Sequence, residues 1–258
     1  MSTTPPPAVD DRALAARYLE LLKGCLTREL FLDEEPDDGR SPEQRRSDRA
    51  EGRDWPAHAE TMVGRSRLDS LQSCVEQVLA DGVPGDLFET GVWRGGASIL
   101  MRAVLEAHGD LDRHVWLADS FQGLPPPDPE RYPADAGGDL SGFDQLAVSQ
   151  AQVAAGFERY GLLDERVHFL EGWFEDTLAT APVEQLAVLR LDGDYYSSTI
   201  VALEALEPKV APGGYVVVDD HGAIEGCRQA CADYREANGI IAEIVPVDWT
   251  GAYWRKDG

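Results

Sequence analysis

Residues 85–96 read Gly85-Asp86-Leu87-Phe88-Glu89-Thr90-Gly91-Val92-Trp93-Arg94-Gly95-Gly96. Leu87–Val92 is an apolar strand candidate, and beyond it Ile99, Leu100, Ala103, Val104 and Ala107 recur at helical spacing. A strand, a glycine-rich turn and a helix in that order predict the start of a βαβ unit. Glycine lets the chain turn tightly, and N–H groups at a helix start can hold an anionic group. A pyrophosphate binder would read G-x-G-x-x-G, whereas here the glycines stand at 91, 95 and 96 behind Glu89. An acidic residue there suits a cationic ligand, such as a sulfonium with its amino group, better than a nicotinamide dinucleotide. Taken alone, such a turn is often only a turn.

Downstream the texture repeats. Val115–Ala118, Val167–Leu170, Leu186–Leu191 and Tyr215–Val218 are short apolar strand candidates separated by helix-period segments. That alternation predicts an α/β fold with a parallel sheet covered on both faces. Such sheets bind ligands at the carboxyl ends of their strands. Upstream, Leu14, Tyr18, Leu21, Leu22 and Cys25 predict a helix after Asp10 and Asp11, with those residues as its apolar face. Leu68, Leu71, Val75, Val78 and Leu79 predict a second, stopped at Gly82 and Pro84. Between them, residues 33–58 are too polar to form a core, so their order must come from packing, oligomerisation or a ligand. The expected organisation is a disordered tail over 1–11, a helical extension over 12–82 and a ligand-binding core over 83–258.

A chain of 258 residues accommodates one elaborated domain. Its formal charge of −24 repels phosphate backbones and anionic headgroups, which argues against nucleic-acid or membrane-surface binding. No apolar run approaches the roughly 20 residues that span a bilayer. The polar start with Pro5, Pro6 and Pro7 does not resemble a signal peptide, so the expected compartment is cytoplasmic. Cys25, Cys74, Cys227 and Cys231 follow no disulfide framework. Cys227 and Cys231, i and i+4 on one helix, could clip a metal, but buried reduced thiols are the simpler reading.

The strand ends carry the chemistry. Asp119, 28 residues beyond Gly91, can accept both hydroxyls of a ribose, with Phe121 beside an adenine. The corresponding NAD spacing is roughly 20 residues. Glu171-Gly172-Trp173 offers Trp173 to a purine face. Leu191-Asp192-Gly193-Asp194-Tyr195 and Val218-Asp219-Asp220-His221 then bring four carboxylates to one sheet edge. Asp often caps helices, which is the plain reading of any one of these residues. Together they repel one another, and a hard divalent cation, Mg²⁺ or Ca²⁺, is the usual remedy for all-oxygen donors. A histidine beside such a site, His221, acts more often behind the ligands than as one.

These residues resemble the macrocin O-methyltransferase family, whose members methylate deoxysugars on macrolides and related glycosylated antibiotics. The likeness is carried by 85–96, by Val115-Trp116-Leu117-Ala118-Asp119-Ser120-Phe121-Gln122-Gly123, by Gly172-Trp173-Phe174-Glu175-Asp176-Thr177 and by Leu191-Asp192-Gly193-Asp194. Pro212-Gly213-Gly214-Tyr215-Val216, Gly251-Ala252-Tyr253-Trp254-Arg255, Glu60-Thr61-Met62-Val63-Gly64 and Arg67-Leu68-Asp69 extend it over Glu60–Arg255. The resemblance implies a Rossmann-like class I S-adenosylmethionine (SAM)-dependent methyltransferase fold, with a mostly parallel seven-stranded sheet and an N-terminal helical extension. It implies Asp192, Asp219 and Asp220 as Mg²⁺ ligands and Asp194 as general base. It implies Glu89, Gly91, Ser98, Asp119, Ser120 and Trp173 as cofactor contacts, covered by Thr61, Met62 and Val63. Two departures, His221 after the Asp pair and Trp55-Pro56 where the family has Tyr-Pro, fall at places expected to touch the acceptor.

The expected partner is a small glycosylated acceptor, with Glu34, Glu35 and the 124–143 loop assigned to its recognition. The poorly self-sufficient N-terminal segment points to a homo-oligomer, a dimer or higher. The nearest rival reading is a catechol-type O-methyltransferase acting on an aromatic diol. A nicotinamide oxidoreductase and a non-catalytic adenosine-binding module are further rivals, disfavoured by the missing G-x-G-x-x-G and by Asp194.

Overall fold

The computed structural model describes residues 11–257. The expected tail lies outside the described residues except for Asp11, which opens helix α1 (Asp11–Leu26). The first strand, β1 (Asp86–Thr90), leads through the glycine turn into α4 (Gly96–Ala107), and β2 (Val115–Asp119) returns parallel beside it. β3 (Val167–Glu171), β4 (Leu186–Leu191) and β5 (Val210–Val218) extend the parallel sheet. Two further strands, β6 (Val245–Pro246) and β7 (Ala252–Arg255), pair antiparallel and close the order β3-β2-β1-β4-β5-β7-β6. The order reverses direction between β1 and β4, which is where such sheets open a ligand crevice.

Strand residues alternate between two cores. Leu87, Leu117 and Val217 face α3 (Arg65–Ala80), α4 and α5 (Gln150–Arg159). Past the one-turn helix α6 (Phe174–Thr177), Phe88, Leu189, Val216 and Val218 face α7 (Tyr196–Leu206) and α8 (Glu225–Ala237). Cys227 and Cys231 are free thiols inside this second core. Among the described residues no helix is long and apolar enough to cross a membrane.

Two details of the N-terminal extension differ from the sequence reading. In α1 the buried side is Leu19, Leu22 and Leu26, while Leu14, Tyr18 and Leu21 are exposed. Leu19, Leu22 and Leu26 pack into the core, and Lys23, buried beside them, pairs with Glu20 at 2.5 Å and with Asp69. Of the stripe read from spacing, Leu22 therefore turns inward while Leu14, Tyr18 and Leu21 turn outward. Within the polar stretch lies a helix that apolar periodicity does not reveal, α2 (Pro42–Glu51), started by Ser41, whose side chain accepts from the Gln44 N–H. Ions organise it. The buried Arg49 guanidinium donates to both Asp54 oxygens at 2.9–3.0 Å and to the Thr27 carbonyl at 2.7 Å. Of the three expected sources of order here, packing, oligomerisation or a ligand, the described chain shows packing, through buried, paired charge.

Candidate active site

One cavity of about 570 Å³ opens along the carboxyl ends of β1, β2, β4 and β5 and is covered by residues 52–63 of the extension. Its shape begins with Gly91, at φ +80°. A Cβ there would stand 1.6 Å from the Asp192 carbonyl oxygen, so only glycine lets β1 turn this close to the end of β4. The Gly91 N–H donates to Ala118 and the Asp192 N–H to Thr90, which locks the ends of β1, β2 and β4 together.

Asp119 closes β2. Its two oxygens accept from the Val92 and Phe121 N–H groups, each at 2.7 Å, and burial raises its pKa against that stabilisation. Each oxygen keeps a lone pair, so the carboxylate can still accept a pair of ribose hydroxyls. Ser120 and Trp173 line the same end of the cavity, and Thr61, Met62 and Val63 line it from the extension. Phe121 is instead buried in the core beside Phe169 and does not line the cavity. Ser98, fully buried in α4, lies behind the cavity wall and donates its hydroxyl to Glu89. Any effect of Ser98 on a bound ligand therefore passes through Glu89.

Asp192, Asp219 and Asp220 converge, each offering a carboxylate oxygen within 4.8 Å of the others. All three donors are hard oxygens, so the set fits Mg²⁺ or Ca²⁺ and not a soft ion. Asp194 stands beside them in a left-handed turn, φ +57°, pinned by its N–H to Asp220 Oδ2 at 3.2 Å. Burial first, then the charges of Asp192 and Asp219, push Asp194 up to about 7. The same forces raise Asp220 well above the usual carboxylate range. His221 turns away and does not line the cavity.

Sequence reasoning missed what lies beneath this cluster. Arg190, fully buried on β4, donates to Glu89 at 2.6 Å, to Asp192 at 2.8 Å and to Asp219. Arg67 donates to the other oxygen of Asp219 and, at 3.1 Å, to Asp248. Burial works to raise Asp219, but the two guanidiniums outweigh it and hold this carboxyl below its ordinary value. Burial and then the Asp219 charge push Asp192 up to about 6 against the pull of Arg190, and burial takes Glu89 to about 7. The repulsion inferred from sequence is thus met in part by two arginines, while among the described residues no Lys or Arg pairs with Asp194 or Asp220. The signal was present: Arg190 is the one charged residue in the apolar run Leu186–Leu191, and a charge in a fully buried strand must be paired.

A second unexpected anchor is Asp135, buried in the loop after β2. Its oxygens accept from the Tyr196 and Ser197 N–H groups at 2.6 and 3.1 Å, capping α7. The Leu140 N–H donates to the Tyr195 hydroxyl at 2.7 Å, so this loop is tied to the segment that carries Asp194.

The family model described as macrocin-O-methyltransferase (TylF) matches residues 15–256. An 8-demethyl-8-(2,3-dimethoxy-alpha-L-rhamnosyl)-tetracenomycin-C 4'-O-methyltransferase of Streptomyces olivaceus is 54% identical over 248 residues, 92% of each chain. The mycinamicin III 3''-O-methyltransferase of Micromonospora griseorubida is 47% identical over 244 residues, 93% of this chain and 96% of that one. The solved structure of the O-methyltransferase NovP superposes with a TM-score of 0.89 at 47% identity, over 95% of this chain and 100% of that one.

Proposed function

The chain belongs to the macrocin O-methyltransferase family, and from that premise and its site we propose that it methylates a deoxysugar hydroxyl of a glycosylated natural product, using SAM and a Mg²⁺ ion. The observation that carries the reading is the placement of Asp194 beside the Asp192–Asp219–Asp220 set in one cavity with the ribose-type carboxylate Asp119. Two relatives are named for methylating a rhamnosyl tetracenomycin at 4' and mycinamicin III at 3''.

In this reading Asp119 and Ser120 hold the ribose, Trp173 covers the purine and Gly91 gives the backbone room to approach. Glu89, buried and fixed by Ser98 and Arg190, lies at the amino-acid end of SAM. Asp192, Asp219 and Asp220 would hold the Mg²⁺, which when bound orients neighbouring sugar hydroxyls and makes one of them more acidic. Asp194 takes the proton from that hydroxyl. Its backbone, pinned by the N–H to Asp220, keeps the carboxylate in place for that transfer. The extension over 12–82 covers the cavity through Thr61, Met62 and Val63 and excludes water. Both it and the 124–143 loop are assigned to acceptor recognition.

The test is methyl transfer from labelled SAM to deoxysugar glycosides, with Mg²⁺ and with EDTA. Transfer abolished by EDTA is the expected result. Transfer indifferent to EDTA would remove the metal from the mechanism. Transfer to catechols and to no glycoside would replace the acceptor class.

A further inference from the structure

Four tryptophans stand on the cavity wall, Trp55, Trp93, Trp173 and Trp249, and they are not equivalent. Trp93 has the Arg94 guanidinium 4.2 Å above its ring and donates its indole N–H to the Gln145 carbonyl at 2.9 Å. Trp249 has Arg53 at 4.4 Å and donates to the Glu51 carbonyl at 2.8 Å. Trp55, which is 48% exposed, has neither. Among the described residues its only aromatic or polar side-chain contact is with Phe143, edge-on at 5.2 Å and 74°. The cavity wall caps two of its indoles; of the other two, Trp173 follows Gly172, whose N–H donates to the Asp119 carbonyl at 2.9 Å, which leaves the Trp55 face for a ligand away from that carboxylate.

The position of Trp55 relative to the reactive centre is fixed. Phe143 belongs to the loop that Asp135 and Leu140 bind to the start of α7, next to Asp194. Pro56, the next residue, gives its carbonyl to Arg94 at 3.1 Å. The same cavity is lined by Pro125, Pro126, Leu140 and Leu146, apolar residues in addition to its carboxylates. A sugar held at the carboxylates would leave its aglycone to these apolar residues and to the half-exposed Trp55.

Resting on the glycoside reading above, we propose that Trp55, backed by Phe143, is a specificity-determining platform that stacks on a flat, conjugated aglycone. An indole face gains most from a planar π system in offset or edge-to-face contact. A puckered, saturated macrolactone meets it with scattered C–H contacts and covers less of it. The preferred acceptors are therefore deoxysugar glycosides of polycyclic aromatic aglycones.

The test is calorimetric titration of the full-length protein, loaded with S-adenosylhomocysteine and Mg²⁺. Three titrants are used: an anthraquinone deoxysugar glycoside, the same sugar on a saturated macrolactone, and the free anthraquinone. The parent protein is expected to prefer the anthraquinone glycoside about tenfold, the scale of one aromatic contact. Trp55→Ala should bring that ratio close to one and abolish binding of the free anthraquinone, while Trp55→Phe keeps most of both. A parent without preference, or a ratio unchanged in Trp55→Ala, would overturn the proposal. Absence of methyl transfer to any glycoside would instead overturn the sugar reading, and the free anthraquinone would still decide the role of Trp55.

Discussion

Arg190→Met removes the one positive charge that Glu89, Asp192 and Asp219 share. Met is close in length and apolar, so little is changed in packing while three buried or half-buried carboxylates lose their common donor. Removing one partner of a buried ion pair costs about 3–5 kcal/mol, because the charges left behind are uncompensated. For a chain of this size each kcal/mol lowers Tm by about 2–4 °C, so the expected fall is about 6–20 °C. The assay is thermal denaturation with and without Mg²⁺. A divalent cation at Asp192, Asp219 and Asp220 offers the carboxylates the charge they have lost, so Mg²⁺ should raise Tm more in the variant than in the parent. Arg190→Lys should recover only part of the loss, since an ammonium cannot reproduce a fork that meets three carboxylates. A Tm within about 2 °C of the parent, equivalent to less than about 1 kcal/mol, would refute the assignment of Arg190 as the counter-charge of the site.

Asp194→Asn keeps a residue that tolerates the left-handed backbone there but removes the base. Turnover should fall by about 10²–10⁴-fold, the range for a general base, with SAM and Mg²⁺ affinities by titration within a few fold of the parent; near-normal turnover would remove Asp194 from the chemistry. His168, stacked on Trp116 and 2.5 Å from the His114 ring nitrogen, has its pKa lowered by burial and then by His114. The unfolded chain takes up this proton near pH 6.5 and the folded chain only at lower pH, so this contribution is complete above 6.5 and is lost as pH falls below it. His168→Gln should therefore flatten the decline of Tm between pH 7 and 5 relative to the parent, and an unchanged decline would show that the histidine pair is not responsible.

The arginines change how the acidic cluster is understood. Clustered carboxylates by themselves argue for a cation, but part of that demand is met inside the protein by Arg190 and Arg67. The charge that remains uncompensated is on Asp194 and Asp220. A metal is therefore argued more strongly by the donor geometry and by Asp220 than by a count of acidic residues.

The sequence by itself determined the parallel core and the strand-end positions that line the cavity. Strand and helix periods are local, and topology places residues just past each strand in one crevice. That is why Glu89, Asp119, Trp173, Asp192, Asp194, Asp219 and Asp220, far apart in the chain, meet in one cavity. Gly91 was legible for the same reason, since a glycine at a strand-to-helix turn reports a backbone constraint. What only the tertiary structure decided involves partners distant in sequence. The rotation of α1 buries Leu19, Leu22 and Leu26 in the core and pairs Lys23 with Asp69, 46 residues away, leaving Leu14, Tyr18 and Leu21 exposed. Helix α2 carries no apolar period because ion pairs hold it. β6 and β7 are short and antiparallel, and they depend on the edge of β5 for their pairing. Arg190 and Asp135 act through contacts 101 and 61 residues away in sequence, and hydrogen bonds over such separations leave no periodic trace in the chain.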